Sequence, residues 1–150
     1  MREAEIKHSR LAMLAVVGWP LAELWDKPIA DAVGLPSLLN KAGESPSLLT
    51  GGLDKIAIPY WVAVVSLAGI VELENMKMKD EKAKNYVAGD CNFDPLGFFP
   101  EDKKGQLQMQ TKEIKHGRIA MMALLGFVIQ EAVYGMPVVA ETPIFFQPIF

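Results

Sequence analysis

Two segments of the chain carry nearly the same sequence at a constant offset of 108 residues. Residues 5–23 and residues 113–131 are identical at ten of nineteen positions, and both begin Glu-Ile-Lys-His. Each copy places a carboxylate, an imidazole and a guanidinium directly before an apolar run, where unpaired charges are costly and seldom kept without a function. The repeat indicates that one helix has been used twice.

Three apolar runs predict three helices. At 51% hydrophobic, the 150-residue chain is somewhat apolar for a soluble domain. The runs cover residues 11–22, 56–71 and 119–129, each shorter than the ~20 residues of a spanning helix. Helices over about 5–25, 56–76 and 113–134 would nevertheless each reach ~30 Å, the thickness of the hydrocarbon layer. The runs taken alone would suggest a soluble helical core, so spanning depends on whether the charges at the helix heads are neutralised in place. On that condition we predict an all-α membrane protein with three transmembrane helices in a single domain over residues 1–150.

Turn-forming residues separate these helices. They punctuate the first connection at Pro28, Gly34, Pro36, Gly43, Pro46, Gly51 and Gly52. Pro59 suits the first turn of the second helix. The charged run 76–84 is interpreted as a solvated helix end. Near the C-terminus an irregular segment at a membrane interface is predicted from Phe145, Phe146 and Phe150.

The basic residues predict an orientation. Residues 26–55 contain three lysines, whereas residues 73–112 contain seven, and the N-terminus adds Arg2 and Lys7. With three spans, the N-terminus and the second connection share one side of the membrane. That side is the basic one, as the positive-inside rule requires.

The repeat predicts two ion pairs. Glu5 and Arg10 lie ~140° apart around one helix and pair poorly with each other. If the two copies cross about a pseudo-twofold axis, Glu5 meets Arg118 while Glu113 meets Arg10. Small residues at equivalent positions would let the two backbones approach: Ser9 and Gly117, Ala12 and Ala120, Ala15 and Ala123, Gly18 and Gly126.

Paired carboxylates and nearby histidines are candidate metal ligands. A carboxylate balanced by arginine can offer an oxygen to a metal while the site stays near neutral. His8 and His116 lie ~60° from these carboxylates, and each can offer a ring nitrogen. One such histidine could be only a hydrogen-bonded core or interface residue. Equivalent places in a repeat favour the ligand role.

Three further residues carry weaker signals. Glu72 ends the second apolar run, but Glu74 competes with it, and either could be a solvated helix end. Gln130 lies ~21 Å beyond His116 near the same face, where a buried amide needs a ligand or a hydrogen-bond partner. Cys91, the only cysteine, has no disulfide partner and heads no zinc motif, so no role is assigned.

These residues resemble the light-harvesting chlorophyll-binding proteins of photosynthetic membranes. The resemblance rests on the two Glu-x-x-His-x-Arg helix starts, the three-span layout, and the segment Asn92-Phe93-Asp94-Pro95-Leu96-Gly97-Phe98. It implies that the first and third helices cross through the Glu/Arg pairs. It also implies that chlorophyll magnesium is bound by six residues: Glu5, His8, Glu72, Glu113, His116 and Gln130. The segment around Asp94 and Pro95 would pack against a carotenoid head group.

Several details make the chain similar to red-lineage antennae. His116 stands where green-lineage members commonly carry asparagine, and the first loop is rich in proline. Chlorophyll a, chlorophyll c and a xanthophyll are therefore implied, in the thylakoid membrane of a chloroplast with a stromal N-terminus. A matching segment before the first helix is absent, so a trimmed N-terminus is expected. Val64 replaces a glutamine of some members, and no fourth amphipathic helix with a ligand histidine follows Tyr134, so neither extra pigment site is expected.

The implied function is pigment binding without enzymatic chemistry. Fixed pigments would pass excitation to a reaction centre, with a photosystem core (I or II), neighbouring antenna subunits and thylakoid lipids as partners. The net charge of −3 says little, and no nucleic-acid partner is expected. One alternative is an energy quencher of the same family, for which Glu131 and Glu141 are the candidate acidic sensors. Another is a di-iron oxidoreductase, because Glu-x-x-His also marks ferritin-like bundles; the arginines and the three-helix layout oppose it.

Overall fold

The computed structural model describes residues 1–48, 50–82, 86–91 and 93–143. It contains three long helices, α1 (Arg2–Val33), α2 (Ile58–Glu81) and α3 (Lys103–Tyr134), and a single-turn helix α4 (Val138–Glu141). A 3-10 turn, Leu53–Lys55, precedes α2. The prediction of a predominantly helical chain is confirmed. The predicted aromatic segment with Phe145, Phe146 and Phe150 lies outside the described residues.

Helix α1 is longer than the predicted 5–25. It runs through Pro20 and Pro28 to Val33 and ends at Gly34, whose φ of 73° terminates the helix in the left-handed region. The interpretation of Pro28 as part of the connection was wrong. An interior proline removes one backbone hydrogen bond and costs about 3 kcal/mol. The extension is stabilised by burial of Ala30 and by Asp26, whose carboxylate accepts hydrogen bonds from the following loop.

Helix α3 begins at Lys103, well before the predicted start at residue 113. Asp102 is its N-cap, and the Asp102 carboxylate accepts a hydrogen bond of 2.8 Å from the backbone N–H of Gly105. Such a cap satisfies one of the free N–H groups in the first turn. The repeat therefore marks the middle of α3 and not its beginning.

Helix α2 has Pro59 in its first turn, as predicted, and continues to Glu81. The charged run from Met76 is thus a helix end, while residues 83–84 of that run lie outside the described residues. No residue of α2 is buried. Large apolar side chains along its length are exposed, among them Val62, Val65, Leu67 and Ile70.

Helices α1 and α3 pack against each other through two small residues. Ser9 is fully buried, and a Cβ atom built on Gly117 would overlap the Ser9 Cβ. Ala12 and Ala120, one turn further along, are also buried. The close approach is therefore confined to the turns around these pairs.

The other predicted small-residue contacts behave differently. A Cβ atom on either Gly18 or Gly126 would meet no atom within 4 Å. The prediction that these glycines line the close approach was wrong, because nine residues place them ~180° around each helix from Ser9 and Gly117. One-turn helix α4 covers this end of the pair, with Val138 fully buried.

Helix α2 packs against neither α1 nor α3 within the described residues. Long charged side chains connect it to α1, namely Lys7 to Glu72 and Lys79 to Glu3. Of the described helices, α3 alone is long and apolar enough to cross a membrane by length and composition. Only 17% of its most apolar stretch is buried, unlike the core helix of a soluble protein.

The segment before α3 forms a turn organised by Asp94. Its carboxylate accepts hydrogen bonds from the backbone N–H groups of Phe99, at 2.8 Å, and Phe98, at 3.1 Å. These bonds favour the ionised form and lower the pKa of Asp94 below its ordinary value of 3.8. The turn thus depends on a charged carboxylate.

We expect Gly117→Ala to destabilise the protein by about 1–3 kcal/mol, because the added methyl group overlaps buried Ser9. Gly126→Ala is the matched control on the same helix. It meets open space and should be neutral or stabilising by up to ~1 kcal/mol through helix propensity. Thermal unfolding followed by circular dichroism measures both. Equal losses in the two variants would contradict the close approach at Ser9.

The Asp94 turn should lose protection in acid. Because the folded-state pKa lies below 3.8, the contribution of the carboxylate is fully present above that ordinary value and is lost as pH falls through the lowered one. Amide hydrogen exchange of residues 93–99, corrected for intrinsic rates, measures this. Asp94→Asn should show weaker protection without this pH dependence. Loss of wild-type protection already well above pH 4 would contradict the lowered pKa.

Candidate functional site

Two reciprocal ion pairs join α1 and α3 near their close approach. Arg10 Nε donates to Glu113 Oε1 at 2.7 Å, and Arg118 Nε donates to Glu5 Oε1 at 2.8 Å. Both predicted pairs are therefore present, and they use the same atoms in both copies. No described residue donates a hydrogen bond to the second oxygen, Oε2, of either glutamate. Each carboxylate is therefore charge-balanced and has one oxygen outside these hydrogen bonds.

The two histidines have matching environments. His8 Nδ1 lies 2.7 Å from the carbonyl oxygen of Ala4, and His116 Nδ1 lies 2.9 Å from that of Lys112. A carbonyl only accepts, so in the neutral ring Nδ1 carries the proton and Nε2 carries the lone pair. This arrangement is typical of a metal-binding histidine. Both histidines are exposed, which argues against a role as core residues.

Glu72 and Glu74 point to different partners. The Oε1 atom of Glu72 lies 2.5 Å from Lys7 Nζ on α1. Glu74 instead pairs with Lys77 of its own helix at 3.0 Å, and both of these side chains are more than half exposed. Glu72 is therefore the second-helix glutamate that faces α1, and a third carboxylate acquires a cation from another helix.

Gln130 is half-buried, and its side chain makes no hydrogen bond with a described residue. The neighbouring Glu131 makes the contact between helices instead. It is 2% exposed and accepts a hydrogen bond of 2.8 Å from Trp19 Nε1 on α1. This pair was not predicted from the sequence. The identity of Glu23 and Glu131 in the repeat was a signal, but Phe127, the equivalent of Trp19, has no N–H.

Carboxylates gather at this far end of α1 and α3. Glu23 Oε2 accepts a hydrogen bond of 3.0 Å from the backbone N–H of Val139 in α4. Within the described part of the chain, one buried oxygen on each of Glu23, Glu131 and Glu141 has no hydrogen-bond partner. Glu131 and Glu141, the acidic residues considered for a sensor, thus lie at the end covered by α4.

Cys91 lies beside the first ion pair. Arg10 Nη1 is 3.2 Å from its sulfur atom. Gly89, at a φ of 83°, allows the chain to pass over Ile6, because a Cβ there would lie 2.8 Å from Ile6 Cγ2. The second connection thus covers the beginning of α1.

The residues predicted to contact a carotenoid lie in an exposed turn. Asp94 and Pro95 are exposed, and the side-chain hydrogen bonds of Asp94 stay within its own turn. Phe93, Leu96 and Phe98 of the same turn are at least 71% exposed. Asn92 lies outside the described residues. The carotenoid contact remains a prediction.

The candidate ligands stand apart from one another. Among the described residues, no group of three or more histidine, cysteine, aspartate or glutamate side chains could hold a metal ion together. The glutamate of each Glu-x-x-His unit is paired with arginine. Single, separate ligands fit a metal that brings its other ligands in a macrocycle, and they do not fit a di-iron centre.

Comparison with known proteins gives consistent matches. The sequence model of the family described as chlorophyll A-B binding protein matches residues 1–132. A chloroplastic fucoxanthin-chlorophyll a-c binding protein of Isochrysis galbana is 35% identical over 90% of this chain and 64% of its own length. Light-harvesting complex stress-related protein 3.2 of Chlamydomonas reinhardtii is 33% identical, over 88% and 52%. Chlorophyll a-b binding protein 6 of Arabidopsis thaliana is 32% identical, over 89% and 54%.

The chain thus spans about half to two thirds of the length of these relatives. Their names agree with the resemblance drawn from the repeated Glu-x-x-His-x-Arg units. The match covers α1, α2 and nearly all of α3. The chain therefore belongs to the chlorophyll a-b binding protein family, a family of pigment-binding light-harvesting proteins and not of enzymes.

Proposed function

We propose that this chain is a light-harvesting antenna protein, which binds chlorophylls and carotenoids and transfers excitation energy to a photosystem reaction centre. The observation that carries the proposal is the matched state of His8 and His116. Both commit Nδ1 to a backbone carbonyl and leave Nε2 available. The bond to the carbonyl four residues earlier is a local helix contact, and its occurrence at equivalent places of the repeat, each three residues after an arginine-paired glutamate, supports the ligand role.

Six residues are proposed to hold chlorophyll magnesium, namely Glu5, His8, Glu72, Glu113, His116 and Gln130. Chlorophyll supplies the light absorption and the excited state, and its magnesium needs only one protein ligand. The protein supplies position, orientation and electrostatics. The paired carboxylates fit this task because Arg10 and Arg118 balance their charge and leave Oε2 unused.

The ion pairs serve positioning more than stability. The Glu113 and Glu5 side chains are 31% and 34% exposed, and desolvation offsets much of the Coulomb attraction of such pairs. Each arginine does fix the carboxylate in one orientation relative to the opposite helix. Fixed orientations are what energy transfer between pigments requires.

We further propose that α1, α2 and α3 all span the thylakoid membrane, with α1 and α3 related by a pseudo-twofold axis. The exposed apolar side chains of α2 and the low burial of α3 support contact with lipid and pigment. The lysine-rich side, which includes the N-terminus, would face the stroma. The chloroplastic relatives support this location.

The proposed pigments are chlorophyll a, chlorophyll c and a xanthophyll near Asp94 and Pro95. The similarity to a fucoxanthin-chlorophyll a-c binding protein and the presence of His116 support this set. The proposed partners are a photosystem core (I or II), neighbouring antenna subunits and thylakoid lipids. Extraction of the pigments and chromatography of the extract test the set.

Energy quenching is the second candidate function, favoured by the similarity to stress-related light-harvesting proteins. The fluorescence lifetime of the pigment-loaded protein separates the two functions. An antenna protein keeps a long chlorophyll lifetime at neutral and acidic pH. A quencher shortens it at acidic pH.

Replacing a histidine should remove one pigment. We expect His8→Ala and His116→Ala each to lose about one chlorophyll per polypeptide after reconstitution, because the Nε2 ligand is gone. Gln108→Ala, an exposed position of α3, is the control for side-chain truncation and should keep the full number. Full chlorophyll content in both histidine variants would refute the ligand assignment.

Removing one crossing pair should prevent assembly. We expect Arg10→Ala combined with Glu113→Ala to abolish pigment-dependent folding, since one magnesium ligand and one contact between α1 and α3 are lost together. The double variant Glu74→Ala/Lys77→Ala removes an exposed pair within α2 and should assemble normally. Pigment-to-protein ratios after gradient centrifugation measure both. Normal assembly of the first variant would show that the crossing pair is dispensable.

A further inference from the structure

We propose that Lys7 is the counter-charge that allows Glu72 to serve as a magnesium ligand. The inference rests on the proposed function, in which Glu72 binds a chlorophyll. Lys7 Nζ on α1 lies 2.5 Å from Oε1 of Glu72 on α2. Glu72 follows the apolar part of α2, where a lone carboxylate in a membrane is costly.

The three candidate carboxylates share one arrangement. In each, Oε1 accepts a hydrogen bond from a cation on a different helix, and no described residue donates a hydrogen bond to Oε2. Arg118 donates to Glu5, Arg10 donates to Glu113, and Lys7 donates to Glu72. The third pair therefore completes a rule that the repeat establishes for the first two.

The third pair has no repeat equivalent. Lys115 is the counterpart of Lys7 in the second copy, and it makes no ion pair or hydrogen bond with a described residue. The repeat thus supplies two identical lysines in different roles. Lys7 pairs with a carboxylate on another helix, whereas Lys115 makes no such pair with a described residue.

A lysine suits this position because of its reach. The backbones of α1 and α2 do not pack together, so a cation on α1 needs a long flexible side chain to meet Glu72. Lys7 also lies 3.5 Å from Glu3 Oε1. The position thus bridges two carboxylates, one on each helix.

Lys7 is not the sole connection between the two helices. Lys79, on α2, lies 3.1 Å from Glu3 Oε2 on α1, independently of Glu72. The Lys7 and Glu72 side chains are 34% and 51% exposed, and surface pairs of this kind contribute little to stability. Loss of the Lys7 contact should therefore affect the pigment content more than the association of α1 with α2.

Reconstitution with chlorophyll, followed by determination of chlorophyll per polypeptide, tests the proposal. Lys7→Met should lose about one chlorophyll, because the Glu72 carboxylate loses its counter-charge. Lys7→Arg should keep it. The double variant Lys7→Met/Glu72→Gln should also keep it, since a neutral amide oxygen, like that proposed for Gln130, needs no cation.

Two lysine variants serve as controls. Lys115→Met, matched through the repeat, should keep every chlorophyll. Lys79→Met removes the other connection between α1 and α2 and should keep them too. If Lys79→Met loses the same pigment as Lys7→Met, or if the double variant stays depleted, Lys7 is only a tether and the proposal is overturned.

A further variant separates this proposal from the proposed function. Glu72→Leu should lose one chlorophyll if Glu72 is a ligand. Loss in Glu72→Leu with full content in Lys7→Met would overturn the role of Lys7 and leave the ligand intact. Full content in Glu72→Leu would remove Glu72 from the proposed ligands. The absorption difference between wild type and each variant identifies whether the same pigment is lost.

Discussion

The structure depends on the contact between two copies of one helix start, where each copy supplies the opposite charge to the other. Neither Glu5 nor Glu113 can pair well with the arginine of its own helix. Both are paired across the contact at 2.7–2.8 Å. The backbones of α1 and α3 also approach closely at this level, where fully buried Ser9 lies against Gly117. The two ion pairs and the close packing at Ser9 therefore hold the same two helices together at one place.

The parts of the structure beyond that contact differ in how they meet α1 and α3. Helix α3 carries a proposed ligand set that mirrors that of α1, whereas long charged side chains join α2 to α1 among the described residues. The far end is different again, with Trp19 and Glu131 joining the two helices under α4. The repeat is thus symmetric in its charges and asymmetric in what each copy contacts beyond them.

The parts of the structure that sequence could predict are those fixed by the repeat. Two equal helices in mutual contact leave only one reciprocal choice of partners for Arg10 and Arg118. The features that the sequence did not predict depend on single side chains that belong to no repeat or periodic pattern. Asp102 caps α3 through one hydrogen bond, Pro28 is accommodated within α1 by local contacts, and Phe127, the equivalent of Trp19 in the second copy, has no N–H to donate. Gly18 and Gly126 both meet open space, because each lies ~180° around its helix from the residue at the close approach.

An experimental structure of the pigment-loaded protein, at a resolution that separates the two oxygens of a carboxylate, tests the central claim most directly. The account predicts chlorophyll magnesium facing Nε2 of His8 and His116 and facing Oε2 of Glu5 and Glu113, with Oε1 of each glutamate still bound to its arginine. Magnesium bound at Oε1 with the arginines displaced, or histidines without pigment, would contradict it.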